Sequence, residues 1–306
     1  MRPEIWIPEE APQDVRERLG ELASVHVYPA AGEVGATLGH GDLIVGGTNP
    51  IRAMEIAPRI PGLRYFQTFS AGVDRIVGHL PEGVTLFDAA GVHDIAVAEW
   101  VVMVILAAQR RLPEHVLGQR AGTWRRERLT GDDLHGKTVA MVGVGAIGRA
   151  VEARLLPFGV RIVRVARRAR AGVQPVDQLQ AVLAEADIVV ILIPLTEATT
   201  GLFDGPTLAV MQPGALLVNA SRGRIVDTQA LTSAVLAGRI RVALDVTDPE
   251  PLPDGHPLWA APGALITPHI GSDVRNEDAR AWQLIEAQVG RLARGEPLVN
   301  EVVDGY

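Results

Sequence analysis

An arginine, a glutamate and a histidine stand late in the chain, each just behind a short apolar run. Ser221-Arg222-Gly223 follows residues 215–219, Asp248 and Glu250 follow 242–246, and His269 follows 264–267, with Gly271 and Ser272 behind it. Read as parallel strands of one open α/β sheet, such runs place ligands beyond their carboxyl ends, so the three side chains emerge on one rim. The set suits the reduction of a 2-oxo acid. That reaction needs a hydride donor, a cation for the carboxylate and carbonyl, and a proton donor for the new alkoxide. Arginine offers a planar fork for the carboxylate. Histidine can hand over a proton near neutrality, and Glu250 would orient it. Taken singly, each has a plainer reading: a structural or solvated histidine, one arginine among many, a turn glutamate between Pro249 and Pro251.

The place for a hydride donor lies upstream. Lys137–Gly148 reads KTVAMVGVGAIG: a short apolar strand, Thr138–Val142, runs into Gly143-Val144-Gly145-Ala146-Ile147-Gly148. Ile147, Val151 and Leu155 then keep helical spacing until Gly159. Each glycine of G-x-G-x-x-G has its own task. The first permits a tight turn, the second lets a pyrophosphate approach the backbone, and the third lets helix and strand pack closely. Free N–H groups and the helix dipole hold the phosphates. In a chain with 32 glycines the motif means little alone; set between strand and helix it predicts dinucleotide binding.

The elements around these residues alternate. Residues 4–7, 25–28, 42–45, 65–69 and 85–87 read as strands, and Val15, Leu19 and Leu22 mark one helix face. Asp94 is placed to cap a helix reaching about Arg111, apolar nearly all round over 101–108, as a helix buried between domains or subunits would be. Residues 112–135 read as an extended arm, or as a surface linker with one packed tryptophan, Trp124. From Lys137 the rhythm resumes, with strands at 160–165, 187–193, 215–219, 242–246 and 264–267. Helices are marked by Leu179/Leu183 and Leu231/Val235. A last helix carries Trp282, Ile285, Val289 and Leu292 on one face and exits through Gly295 and Pro297 into an apolar tail, 298–303. Such alternation predicts an α/β fold with parallel sheets covered on both faces.

The 306 residues suffice for two domains, with 47% apolar and 21% charged residues. A net charge of −7 argues against nucleic acid or an anionic membrane as partner. The absence of cysteine excludes disulfides and thiolate chemistry, and no metal site is expected. The start, MRPEIWIPEE, has no secretory h-region, and the apolar stretch 95–108 is too short to span a bilayer. The expected location is cytoplasmic. Lys137 is the sole lysine, so the basic charge is almost all arginine.

With these residues in view, the chain resembles the D-isomer-specific 2-hydroxyacid dehydrogenases over nearly its whole length. The likeness runs through Ser70-Ala71-Gly72-Val73-Asp74, Ala98-Glu99, Leu134-His135-Gly136-Lys137-Thr138, the glycine loop and Pro194-Leu195-Thr196. It continues in Asn219-Ala220-Ser221-Arg222-Gly223, residues 243–251 and Pro268-His269-Ile270-Gly271. The resemblance implies two doubly wound, Rossmann-like domains with a cleft between them. The substrate-binding, flavodoxin-like domain would comprise 1–94 plus 274–306, and the dinucleotide-binding domain 95–273. It implies Arg222 as substrate clamp, His269 as acid/base and Glu250 as its partner. Backbone N–H groups of Ala71, Gly72 and Val73 would hold the substrate carboxylate, and Asp245 would meet the nicotinamide carboxamide. Gly143, Gly145, Ala146, Ile147, Pro194, Thr199, Ala220, His269 and Gly271 would surround the dinucleotide. A homodimer built through the segment matching 95–135 is implied too.

Three positions depart from the family pattern. Residues 161–166 are followed by Arg167 and Arg168, and Ala166 sits where NAD-preferring relatives place an acid. Loss of that carboxylate removes the partner for a ribose 2′-OH, and the arginine pair is suited to a 2′-phosphate, so NADP is expected over NAD. Enrichment of arginine on a solvated loop is the plainer alternative. Val45-Gly46-Gly47-Thr48 lacks the arginine of phosphoglycerate-using relatives, and Asp273 replaces a small apolar residue after Ser272. The expected activity is reduction of glyoxylate, hydroxypyruvate or a similar small acid. The alternatives are another hydride-transfer chemistry of the family, such as phosphite oxidation, and a non-catalytic dinucleotide-sensing corepressor.

Overall fold

The computed structural model describes residues 2–32, 34–35, 38–124 and 130–303. In chain order its first part contains β1 (Glu4–Pro8), α1 (Gln13–Leu22), β2 (Ser24–Tyr28), β3 (Leu43–Val45), α2 (Pro50–Ile56), β4 (Tyr65–Gln67) and β5 (Thr85–Phe87). Then come α3 (Asp94–Gln109), α4 (Leu112–Arg120), β6 (Thr138–Val142), α5 (Ala146–Leu155), β7 (Arg161–Ala166), β8 (Val173–Pro175) and α6 (Leu179–Leu183). β9 (Ile188–Ile191), α7 (Gly205–Ala209), β10 (Leu216–Asn219), α8 (Thr228–Leu236), β11 (Arg241–Leu244), β12 (Ala264–Ile266) and α9 (Glu277–Ala293) complete the series. The chain divides into two compact units, 1–93 with 274–306 and 94–273. Each is a parallel α/β sheet.

In the first unit the strand order is β2-β1-β3-β4-β5, all parallel, the flavodoxin-like winding. Strand alternation sends Ile5, Ile7, Leu43 and Val45 to one face, where Val15 and Leu19 of α1 and Trp282, Ile285 and Val289 of α9 cover them. Trp6, Ile44, Phe66 and Leu86 face the other way, under Ala53 and Ile56 of α2. Burial of each such side chain contributes about 1.5–3 kcal/mol. The 298–303 tail closes the β5 edge. Phe87 and Glu301 form an antiparallel bridge, Val302 N donates to Leu86 O, and Asp88 N to Asn300 O. An edge strand that would otherwise offer open backbone groups is thereby covered.

The second unit has the order β12-β11-β10-β9-β6-β7-β8, again all parallel. Numbered within the unit this is the dinucleotide-binding order 3-2-1-4-5-6 extended by one strand, and the order reverses between β6 and β9. α3 and α5 cover one face over Val139, Met141, Val190 and Val218. α6, α7 and α8 cover the other over Val142, Ile191, Leu217 and Leu244. Among the described residues no helix is long and apolar enough to cross a membrane.

Four features differ from the sequence expectation. Residues 112–120 form helix α4 instead of an extended arm. Pro113 sits in its first turn, where a missing N–H costs nothing, and Arg111 pairs with Glu114 at 2.8 Å. Its periodicity was weak because it buries no apolar face: only Gly118 is buried. α3 ends at Gln109, short of Arg111, whose φ of 53° leaves the right-handed helix. Within 101–108, Met103 is 52% exposed although Val101, Val104 and Ile105 are fully buried. Trp124 is 96% exposed rather than packed. Residues 125–129 of the expected arm lie outside the described residues.

Candidate active site

The glycine loop occupies the switch point between β6 and β9. Gly143 has φ of 111°, and a Cβ there would lie 2.4 Å from Leu192 O. A Cβ on Gly148 would lie 2.4 Å from Gly143 O, so close packing of α5 on the turn admits only glycine. Gly145 is different: a Cβ there meets nothing within 4 Å. It is the N-cap residue of α5 and provides no side-chain cap. The amides of Ala146 and Ile147 therefore open the positive end of the helix beside empty space, which fits a pyrophosphate.

β7 ends at Ala166, so no carboxylate stands at its tip. Arg164 is engaged by Glu152, Nε donating to Oε2 at 2.8 Å. Arg167 and Arg168 are exposed and pair with no acid among the described residues. After β9, Thr199 Oγ1 donates to Pro194 O at 2.7 Å and accepts from Thr196 N at 2.8 Å. That hydroxyl shapes its own loop. Ser221 Oγ donates to Ile193 O, tying the loops after β9 and β10 together beside half-buried Ala220.

The three chemical residues all leave the β10–β12 end of this sheet. Arg222 is extended at φ −141°; its Nη1 donates to Ser221 O at 2.8 Å, and its carbonyl accepts from Asn219 Nδ2 at 3.0 Å. Next to it, a Cβ on Gly223 would sit 2.0 Å from Thr247 O. Only a glycine lets the β10 and β11 loops touch there. Glu250 Oε1 lies 2.7 Å from His269 Nδ1, with side-chain exposures of 33% and 46%. A carboxylate at that distance keeps a proton on Nδ1, whether or not Nε2 carries one. Nε2 has no hydrogen-bond partner among the described residues, so it is the atom available to a substrate.

His269 stands at φ 56°, a left-handed conformation uncommon for a residue with a side chain. Its N–H donates to Asp245 O at 2.8 Å and to Thr267 O at 3.1 Å. The Asp245 carboxylate, 5% exposed, accepts the next two amides, Ile270 N at 2.9 Å and Gly271 N at 2.7 Å. Sequence reasoning gave Asp245 a cofactor contact only; its hold on the histidine turn needed the register of β11 against β12. Ala71, Gly72 and Val73 belong to the other unit, in the loop after β4, where Gly72 N donates to Ser70 Oγ at 3.0 Å. Asp273 N donates to Ile270 O at 3.0 Å, closing the same turn.

A glycine cradle at a switch point, with a glutamate–histidine pair and an arginine at neighbouring strand ends, fits a dinucleotide-dependent oxidoreductase. The family model described as D-isomer specific 2-hydroxyacid dehydrogenase, NAD binding domain, matches residues 102–271. Glyoxylate reductase from Thermofilum pendens is 36% identical over 267 residues, covering 81% of this chain and 78% of the relative. D-3-phosphoglycerate dehydrogenase from Mycobacterium leprae is 33% identical over 261 residues, 82% of this chain; the chain spans 49% of that relative. The NADPH-dependent glyoxylate/hydroxypyruvate reductase from Sinorhizobium meliloti, solved with NADP and sulfate, has TM-score 0.83 at 26% identity, with both chains covered in full. The chain belongs to the D-isomer specific 2-hydroxyacid dehydrogenases, which use a nicotinamide dinucleotide.

Proposed function

We propose that this enzyme reduces a small 2-oxo acid, of the glyoxylate or hydroxypyruvate type, to the D-2-hydroxy acid, with NADPH as preferred donor. The observation that carries the reading is the Glu250–His269 pair, 2.7 Å apart with Nε2 left open. The chemistry supplied by a reduced nicotinamide, when bound, is a hydride for the carbonyl carbon. The chain's own residues do the rest. Arg222 grips the carboxylate and polarises the carbonyl through its fork. His269 Nε2 gives its proton to the oxygen as it becomes an alkoxide, and Glu250 holds the tautomer and steadies the imidazolium form. Ala71, Gly72 and Val73 of the first unit bind the substrate carboxylate, Gly72 exchanging its Ser70 contact for it.

The names of the Thermofilum pendens and Sinorhizobium meliloti relatives support the substrate class, and the missing acid after β7 supports NADPH. A phosphorylated acid fits less well, because Val45-Gly46-Gly47-Thr48 lacks the arginine that the family resemblance places about there in phosphoglycerate users. We also propose a homodimer through α3 and α4. The test is the loss of reduced-nicotinamide absorbance with glyoxylate, hydroxypyruvate, pyruvate, phenylpyruvate and 2-oxoisocaproate, each with NADPH and NADH. Oxidation by one of the first two, faster with NADPH, is expected. Silence across the panel in protein that binds dinucleotide would overturn the reading, as would unchanged turnover in His269→Ala.

A further inference from the structure

Helix α3 reaches the acid/base turn through a relay of hydrogen bonds that runs in one direction. Trp100 Nε1 lies 3.1 Å from Thr267 Oγ1, and Thr267 Oγ1 lies 2.6 Å from Asp245 Oδ1. An indole N–H can only donate, so the hydroxyl must accept from it and send its own proton to the carboxylate. Asp245 Oδ1 also takes the Ile270 amide, and Oδ2 takes the Gly271 amide. Asp245 is thus a buried carboxylate met by three neutral donors, and no arginine or lysine pairs with it among the described residues. A buried polar side chain keeps its orientation only while its hydrogen-bond partners are in place. The packing leaves little slack: a Cβ on Gly271 would lie 2.8 Å from Asp245 Oδ2 and 3.7 Å from Trp100 Cγ.

We propose that Trp100 and Thr267 are positioning residues for the acid/base, holding His269 in its left-handed turn through the Asp245 carboxylate. This rests on the reading of His269 as proton donor. The turn is the part of the site that depends most on outside support. His269 has φ of 56°, and the bonds that fix the two following amides both end on Asp245. Thr267 stands two residues before His269, so its hydroxyl joins the strand end, the carboxylate and helix α3 at one point. Removing the hydroxyl leaves the carboxylate one donor short and frees it to turn away from Ile270 and Gly271. The imidazole then departs from the geometry in which Nε2 faces the carbonyl. A displacement of about 1 Å can cost on the order of a hundred-fold in rate.

Three variants separate the possibilities: Thr267→Val, which keeps the shape, Thr267→Ser, which keeps the hydroxyl, and Trp100→Phe, which removes the N–H and keeps a ring. Each is measured for kcat and KM with the best oxo acid, for dinucleotide affinity, and for amide hydrogen exchange over residues 268–273 without substrate. Thr267→Val is expected to lower kcat roughly ten- to a hundred-fold, with a smaller loss of dinucleotide affinity, and to speed exchange at Ile270 and Gly271. Thr267→Ser restores both, and Trp100→Phe shows the same signs more weakly. The proposal is overturned if Thr267→Val keeps wild-type kcat and protection, or if Thr267→Ser is as impaired as Thr267→Val. Should Thr267→Val fail to fold, Trp100→Phe decides, and unchanged kcat and exchange in it would be equally fatal. Exchange reads the turn whether or not His269 is the acid, so a failed assignment of His269 shows in His269→Ala turnover and is told apart.

Discussion

Gly145 and Gly143 sit two residues apart in one motif and answer to different constraints. The Gly143 conformation, φ 111° with Leu192 O where a Cβ would stand, is a demand of the folded backbone itself. Gly145 has a φ of −72° that any residue adopts and open space where its Cβ would go. Gly143→Ala is therefore expected to lower the unfolding temperature in the absence of ligand. Gly145→Ala should melt with wild type and lose dinucleotide affinity, because the methyl group enters the space a pyrophosphate needs. Calorimetry paired with dinucleotide titration checks both; an unliganded Gly145→Ala that melts early would refute the open-cradle account. At the tip of β7, Arg167→Ala with Arg168→Ala should weaken NADPH on the order of ten-fold or more, the loss of charge-assisted bonds to a 2′-phosphate, and spare NADH. Equal losses would return both to the status of surface charge. The motif letters and the strand-end rule were enough to single out Arg222, Glu250 and His269 as candidates. What Gly223, Gly271 and Asp245 do was not legible, since each acts on a neighbour brought close only by strand register.

Elements were legible in proportion to the apolar run that defines them. β6, β9 and β10 are buried on both faces and read as continuous apolar stretches, whereas β8, α2 and α7 are too short to show a period. α7 instead depends on its cap. Asp204 Oδ1 accepts from Thr207 N at 2.8 Å, and hydrogen bonds from Thr207 hold the Asp204 carboxyl below the usual aspartate range. A carboxyl depressed in the folded state stabilises it fully above the unfolded-state value, about 3.9. That contribution is lost as the pH falls through the lower folded-state value. Asp204→Ala is thus expected to melt below wild type at neutral pH, with the two curves converging in acid. Thermal unfolding across pH tests this, and a gap that persists at low pH would exclude a charged cap. Asp204→Asn, which keeps an acceptor without the titration, should hold most of the stability and show no such convergence.

For the whole molecule, two parallel sheets with their faces covered were predictable from strand and helix alternation, but the outer surface of α3 and α4 was not. A nine-residue helix is marginal unless packing supports it. In α4 the single buried residue is Gly118, while Leu112, Val116 and Leu117 are 52%, 37% and 65% exposed. Ile95 and Met103, two turns apart on α3, are 44% and 52% exposed. Apolar groups held outward by two consecutive helices are unfavourable in a lone chain and are the composition of a buried interface. The proposed homodimer would bring the same side chains of a second copy to a two-fold contact, the commonest closed arrangement. Sedimentation velocity should find a dimer for wild type. Met103→Asp and Leu117→Asp together would place a carboxylate on each helix inside the contact and should yield monomers with a lowered melting temperature, since α4 loses its cover. A monomeric wild type would remove the homodimer, and a double variant that stays dimeric would move the interface to another surface.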